Sequence, residues 1–169
     1  MPVIVRPAVA ADMDAITLIY AHHVNHGTGS FETEAPDHAE MARRWSEVAA
    51  RGLPWLVAEE DGDIGGYAYA APYRSRPAYQ HTVEDSIYVR ADRLGTGLGK
   101  LLMPALITAA QACGMRQMIA VIGDSANQSS ITLHRRFGFD DAGLLKDVGF
   151  KFGCWLDTVF MQRSLVRNE

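Results

Sequence analysis

The residues of this chain best suited to chemistry are few. They are the adjacent acids Glu84 and Asp85, His134 in a basic run, and the glycines Gly95, Gly97 and Gly99. A carboxylate can accept a proton from a reacting group, and an imidazole can accept or give one near neutral pH. The turn Gly95-Thr96-Gly97-Leu98-Gly99 stands between a strand-like run and a helix-like run that begins with Lys100. Glycines at such a place let the backbone come close to a phosphate, and a helix amino terminus adds unpaired N–H groups and a positive dipole end. An ordinary tight turn would use the same glycines. A Walker A loop is excluded, because the positions for its first Gly and its Ser/Thr hold Leu94 and Leu101. A dinucleotide fingerprint is excluded as well, because its third glycine would fall on Lys100.

Other side chains suit recognition. In Tyr73-Arg74-Ser75-Arg76 a guanidinium can grip a carboxylate through paired hydrogen bonds, so Arg74 is the expected anchor for an amino acid's carboxylate. Phe31 could wall an acceptor pocket, whereas the neighbouring Glu32 reads as solvated. Asn127 can cap a helix or contact a ligand, and one residue can do both. His22 and His26 share a helix face, but no HExxH pattern or nearby acid supports a metal, and none is expected. Trp45, Trp55, Trp155 and the methionines read as core.

The elements that must position these groups follow from periodicity. Val3 to Val5 reads as a strand, and Met13, Ile16, Ile19, Tyr20 and Val24 lie at helical spacing behind Asp12. Asp37 with Glu40 has the spacing of a capping box, and Gly52 stops the helix that follows. Trp55 to Ala58 and Ile64 to Ala71 flank the turn Asp61-Gly62-Asp63 as a hairpin, and Val83 to Val89 is a further strand. After the glycine turn come a helix over Lys100 to Cys113, a strand over Met118 to Ile122, and a helix from Asn127 or Ser129 to about Phe137. Phe139 to Leu145 and Trp155 to Gln162 read as closing strands. Hairpins followed by strand–helix–strand–helix–strand imply an α/β (α+β) protein. Its sheet should be mixed, twisted and mostly antiparallel, with helices on both faces. Strand alternation turns Asp85 away from Glu84, so the two acids should not share one role.

Composition narrows the classes. The 169 residues, 48% apolar and 21% charged, suit one folded domain over 1–169 with no linker or repeat. Sixteen basic against twenty acidic residues give a net charge of −4, without the basic footprint of a nucleic-acid binder. Two cysteines, Cys113 and Cys154, cannot make a disulfide framework, and neither a signal peptide nor a membrane span is legible. A cytoplasmic protein with no membrane partner is expected.

Four ordered motifs then resemble one family. Thr96-Gly97-Leu98-Gly99 is similar to the pyrophosphate loop of the GNAT superfamily of acetyl-CoA-dependent N-acetyltransferases. Leu94 stands where that pattern has Gln or Arg, with Arg93 one residue early. Asn127 and Leu133 to Phe139 resemble the superfamily's late Asn-to-Gly-Phe motif. Glu84-Asp85-Ser86-Ile87-Tyr88-Val89 resembles the acid-bearing strand of the phosphinothricin and methionine sulfoximine/sulfone acetyltransferase branch. Lys146 to Gly153, with Trp155 and Asp157, resembles that branch's carboxy-terminal signature.

The resemblance implies transfer of acetyl from acetyl-CoA to the amine of a small amino-acid-like acceptor. Glu84 would be the general base, and His134 an acid toward the leaving thiolate or only a hydrogen-bonding residue. It implies cofactor contacts at Ile87, Tyr88, Val89, Gly95, Thr96, Gly97, Leu98, Gly99, Lys100 and Asn127. It places Phe31, Tyr73, Arg74, Ser75, Arg76, Val83 and Asp85 beside the acceptor. A homodimer is implied too. Competing readings are an acetyltransferase for protein amino termini or lysines and a non-catalytic acyl-CoA sensor, for which an acid at Glu84 would have no use.

Overall fold

The computed structural model describes residues 2–166; Met1 and residues 167–169 of the span read as one domain lie outside them. In chain order the elements are β1 (Ile4–Pro7), α1 (Met13–His26), α2 (His38–Ala50), β2 (Trp55–Glu60), β3 (Asp63–Pro72) and β4 (Thr82–Val89). They continue with α3 (Leu98–Ala112), β5 (Gln117–Gly123), α4 (Gln128–Arg136), β6 (Asp140–Lys151) and β7 (Cys154–Ser164). The seven strands form one sheet in the order β1-β2-β3-β4-β5-β7-β6. Only β4 and β5 run parallel, so the sheet is mixed and mostly antiparallel, as periodicity predicts.

Local chemistry sets the helix starts. The Asp37 carboxylate accepts from the Glu40 amide at 2.9 Å, as the capping-box spacing requires, and Asn127 caps α4 by accepting from the Ser130 amide. In contrast, α3 starts on Gly97 at φ 93° with no side-chain cap, a conformation that a residue with a Cβ adopts only at a cost. The Lys100 amide donates to the Gly97 carbonyl at 3.0 Å, and no side chain caps the Leu98 and Gly99 amides.

The sheet carries a core on each face. Leu102, Met103 and Leu106 of α3 pack with Ala68, Ala70, Val83, Met118 and Phe139 on one side. Met13, Ile16, Tyr20 and Val24 of α1 pack with Met41 and Val48 of α2 and with Trp55, Val57 and Tyr67 on the other. Each fully buried large side chain contributes roughly 1.5–3 kcal/mol of transfer free energy, which is what holds the helices to the strands.

Two expectations are corrected at the carboxy-terminal hairpin. β6 does not end at Leu145 but runs to Lys151, through a register shift between Leu145 and Gly149. The irregularity at Lys146-Asp147 hides the strand from a period-two reading; Asp147 sits at φ 55° and donates its amide to Asp157 Oδ1 at 3.0 Å. Trp155 is not core. It is 66% exposed: it stands at the start of β7, beyond the last β5 pairing at Gly123–Thr158, where only β6 pairs with the strand among the described residues.

Candidate functional site

β4 and β5 create the site by parting. They pair in register from Thr82–Gln117 to Asp85–Ala120, after which β5 stays with β7 while β4 stays with β3. The result is a wedge-shaped cleft of about 910 Å³. Ile87, Tyr88 and Val89 form one wall and Ala120, Val121 and Ile122 the other, with the glycine turn and α3 at its wide end and α4 alongside. Strand backbone at such a split is polar and unpaired, so it can hydrogen-bond an extended amide-bearing ligand.

Of the residues expected to hold the cofactor, Ile87, Tyr88, Val89, Gly95, Gly97, Gly99, Lys100 and Asn127 all line this cleft. Gly95 and Gly97 have positive φ and nothing within 4 Å of a built Cβ, so the turn offers bare backbone at the α3 amino terminus. Gly99 serves differently, because a Cβ there would press on Leu133 of α4 at 3.1 Å. Leu98 is buried beneath the turn, and the Thr96 hydroxyl donates to the Arg93 carbonyl at 2.6 Å. Arg93 itself is bound to Glu60, which leaves Leu94 and Lys100 as the larger side chains of the turn at the cleft. An exposed backbone cradle, a helix amino terminus and one lysine fit a pyrophosphate-bearing group.

The two acids of β4 separate as alternation requires. Glu84 lies on the α1 side with Ser86 and Tyr88; it is half-buried, and no described residue hydrogen-bonds its carboxylate. Burial, with the nearby charge of Asp85, holds its pKa above the usual carboxylate value. Asp85, expected beside the acceptor, instead turns its carboxylate to the α3 side, where His134 Nε2 lies 2.7 Å from Oδ2. Val83, from the same expected set, points to that side too and is 1% exposed within the α3 core. Only the backbone of these two flanks Glu84.

His134 is nearly buried. Its Nδ1 faces the Ser130 carbonyl at 2.7 Å, and its side chain and that of Asp85 are 3% and 1% exposed. Burial alone would push its pKa down, but the charge and hydrogen bond of Asp85 and the Ser130 carbonyl together raise it above the usual value.

The expected acceptor residues form two groups. Tyr73, Arg74, Ser75 and Arg76 follow β3, and the Arg74 guanidinium sits over the Tyr73 and Tyr79 rings at 5.2 and 5.9 Å, with no carboxylate on it among the described residues. This loop leaves the sheet where Pro72 pairs with Val83, one residue from Glu84. Phe31 lies across the ends of β5 and β6; a Cβ on Gly149 would stand 2.4 Å from its ring and one on Gly123 2.8 Å. Glu32 is not solvated, as its type and loop position suggest, but half-buried. Arg44 binds it through two hydrogen bonds, at 2.6 and 3.0 Å, and Tyr20 donates to it, so that its pKa is lowered chiefly by Arg44. Lys151 donates to the Ser30 carbonyl at 2.8 Å, which ties the same loop to β6.

Several cleft residues escape the sequence reading. His23 sets Nε2 2.6 Å from the Val89 carbonyl, and Thr28 donates to Asp124 at 2.7 Å, bridging the loop after α1 to the end of β5. Ser130 and Arg136 line the cleft from α4. The i, i+4 relation of Ser130 to His134 is the signal that could have found the former; for His23 and Thr28 the partners are distant in sequence. Among the described residues no group of three His, Cys, Asp or Glu could hold a metal ion, and no helix is long and apolar enough to cross a membrane.

Comparison with known proteins agrees with this geometry. The model of the acetyltransferase (GNAT) family matches residues 19–139. A phosphinothricin N-acetyltransferase of Alcaligenes faecalis is 54% identical over 154 residues, 91% of this chain and 78% of that protein. An L-methionine sulfoximine/L-methionine sulfone acetyltransferase of Pseudomonas aeruginosa is 42% identical over 95% of this chain and 94% of its own. Among solved structures, a GNAT-superfamily phosphinothricin acetyltransferase from Sinorhizobium meliloti in complex with AcCoA superposes with a TM-score of 0.93 at 48% identity. That match covers 97% of this chain and 89% of the other.

Proposed function

The chain belongs to the acetyltransferase (GNAT) family, and from that premise we propose a specific reaction: transfer of the acetyl group of acetyl-CoA to the primary amine of a small amino-acid-like acceptor of the phosphinothricin, methionine sulfoximine or methionine sulfone type, with Glu84 as general base. The observation that carries the reading is the half-buried, unpaired Glu84 carboxylate, on the strand that opens the cleft and one residue from its point of parting. An ammonium cannot attack a carbonyl, so the acceptor must lose a proton first, and a carboxylate of raised pKa is the stronger base for that step.

The other residues take roles consistent with their places. The Gly95-to-Lys100 turn and the α3 amino terminus would hold the pyrophosphate, and the backbone of Ile87 to Val89 with Asn127 the amide-bearing arm. Acetyl-CoA supplies the activated thioester. The unpaired guanidinium of Arg74 would bind the acceptor carboxylate, while Phe31, seated on Gly123 and Gly149, would close the apolar side.

The reading includes a homodimer in the cytoplasm. Leu144, Leu145, Val148, Phe150, Phe152 and Trp155 stay exposed on the β6–β7 hairpin, an apolar face that a second copy would cover. Cys113 and Cys154 are exposed, unbridged thiols, which suit a reducing compartment.

The testing experiment is thiol release from acetyl-CoA against phosphinothricin, methionine sulfoximine, methionine sulfone, ordinary amino acids and a short peptide. Release with one of the first three is expected. Release with the peptide alone would overturn the acceptor class, and bound acetyl-CoA with no release from any amine would overturn the enzyme reading. In the same preparation, sedimentation at micromolar concentration should give the mass of two chains.

A further inference from the structure

We propose that Asp85 is a positioning residue and that the Ser130 hydroxyl is the outlet of a proton relay: Asp85 keeps the buried His134 ring protonated on both nitrogens, and Ser130 passes a proton from that ring to the sulfur of the departing thiol. The inference deepens the acetyl-transfer reading and rests on it.

The geometry fixes the protons. His134 Nδ1 lies 2.7 Å from the Ser130 carbonyl oxygen, which can only accept, so that nitrogen carries hydrogen. Nε2 lies 2.7 Å from Asp85 Oδ2, and a carboxylate there makes this nitrogen a donor as well. The second carboxylate oxygen, Oδ1, is buried with no hydrogen-bond partner among the described residues. A fold that keeps a buried carboxylate half-satisfied loses stability by it, and such groups concentrate at working sites. Among the described residues Asp85 of β4 is the charged group on the ring. The Phe139 ring meets it edge-on at 4.9 Å, and Lys100 of α3, Asp124 after β5 and Arg136 of α4 line the same cleft.

Ser130, His134 and Asp85 have the residue types of a nucleophile triad, but their protons are set the other way. In a triad the ring nitrogen facing the serine is bare and takes the hydroxyl proton. Here that nitrogen already carries hydrogen, so the ring can only give. Ser130 Oγ is 3.4 Å from Nδ1; both residues line the cleft, but the His134 side chain is 3% exposed and Ser130 is half-buried, so the hydroxyl is the more open end of the pair. The balance closes. As the acceptor nitrogen bonds to the acetyl carbon, the carbon–sulfur bond breaks and its electron pair leaves with sulfur. Sulfur takes the Ser130 hydroxyl proton and Ser130 takes the Nδ1 proton; Glu84, having passed the ammonium proton to solvent before attack, takes the second proton as the amide forms and releases it to solvent. Solvent then returns the ring to its starting charge.

The test compares Ser130→Ala, Ser130→Thr, Asp85→Asn and Glu84→Gln, with nitrogen-15 NMR of the histidine ring in the protein alone and kinetics with acetyl-CoA and phosphinothricin across pH. In the wild type the His134 ring should keep both nitrogens protonated to higher pH than an ordinary histidine, and in Asp85→Asn it should lose the second proton at lower pH than in the wild type. Ser130→Ala should lose at least about 10-fold in kcat with acetyl-CoA affinity within twofold, and Ser130→Thr should recover most of the loss. Asp85→Asn should move the alkaline fall of kcat to lower pH, which Ser130→Ala should not. A wild-type His134 ring that loses its second proton no later than an ordinary histidine, or full activity of Ser130→Ala beside an inactive Glu84→Gln, overturns the relay and leaves the base reading standing. Full activity of Glu84→Gln instead overturns the reading on which the relay rests. If Asp85→Asn does not fold, the wild-type NMR and the serine pair still decide.

Discussion

Glu84 and Asp85 are the same functional group one peptide bond apart, yet the fold puts them in opposite circumstances. Alternation sends Glu84 to the α1 side of β4, half-buried and without a hydrogen-bond partner among the described residues. It sends Asp85 to the α3 side, almost wholly buried and bound to His134 at 2.7 Å. A carboxylate left unpaired near a cleft keeps its lone pairs for a substrate proton. One paired with a buried imidazole has spent a lone pair on the fold. The lesson is that role follows from the partner and the face, so the two acids should fail in different ways when they are removed.

The largest contrast is expected in turnover. Glu84→Gln should lower kcat by about 10²–10⁴-fold, the range for loss of a general base, while acetyl-CoA affinity stays the same. Its unfolding midpoint should hold or rise. Burial raises the Glu84 pKa, so ionising this acid in the fold is unfavourable, and the neutral amide avoids that cost. Steady-state kinetics beside urea unfolding would check both halves. A Glu84→Gln variant that unfolded early but turned over normally would reverse the comparison.

The same substitution logic at Asp85 should strike stability. Asp85→Ala leaves a His134 side chain of 3% exposure without its counter-charge, and breaking a buried pair from one side costs about 3–5 kcal/mol. Urea titration should show that loss. Its absence would mean that His134 stays neutral in the fold and needs no partner.

How much of this was legible in the chain divides along the same line. The opposite facing of Glu84 and Asp85 is a period-two fact and needs no coordinates. The hairpin around Asp61-Gly62-Asp63, from its turn residues, and the cap at Asp37, from its spacing to Glu40, need none either. The Asp85–His134 bond joins residues 49 apart in sequence, and the Glu32–Arg44 and Thr28–Asp124 contacts cross between elements; nothing local announces them. The resemblance places Val83 and Asp85 beside the acceptor, although alternation aims their side chains to the face opposite Glu84. Trp155 misled for a related reason. Residue type predicts burial only where a layer covers the strand, and that the start of β7 runs past the end of β5 is a property of the whole sheet.

A smaller effect should separate acceptor binding from chemistry. Arg74→Gln removes a guanidinium that, among the described residues, is held only by the faces of Tyr73 and Tyr79. A charged hydrogen bond contributes about 1.5–3 kcal/mol, so the acceptor KM should rise roughly 10- to 100-fold with kcat and acetyl-CoA affinity little changed. A variant in which kcat fell and KM held would move Arg74 out of ground-state binding. Gly149→Ala tests the opposite wall. Its Cβ would stand 2.4 Å from the Phe31 ring, so Phe31 must shift, and acceptor KM should rise while the turn at Gly95 to Lys100 still binds acetyl-CoA normally.

The subtlest contrast is in pH dependence, where the two acids should leave signatures of opposite sign. Glu84 acts as a base only when ionised, and its pKa lies above the ordinary carboxylate value. The acid limb of kcat/KM should therefore sit higher than an exposed glutamate would place it, and activity should rise with pH through it. His134 has a folded pKa raised above its unfolded value of about 6.5, so the protonated ring favours the fold. That stabilisation is fully present below about 6.5 and is lost as pH rises through the folded value. Unfolding free energies from pH 6 upward should fall in the wild type and in Glu84→Gln alike, because Glu84 does not touch the ring. In Asp85→Asn the fall should flatten, since the counter-charge that raises the His134 pKa is gone. An equal slope in Asp85→Asn would show that the Ser130 carbonyl alone holds the proton, and would reduce the difference between the two acids to burial.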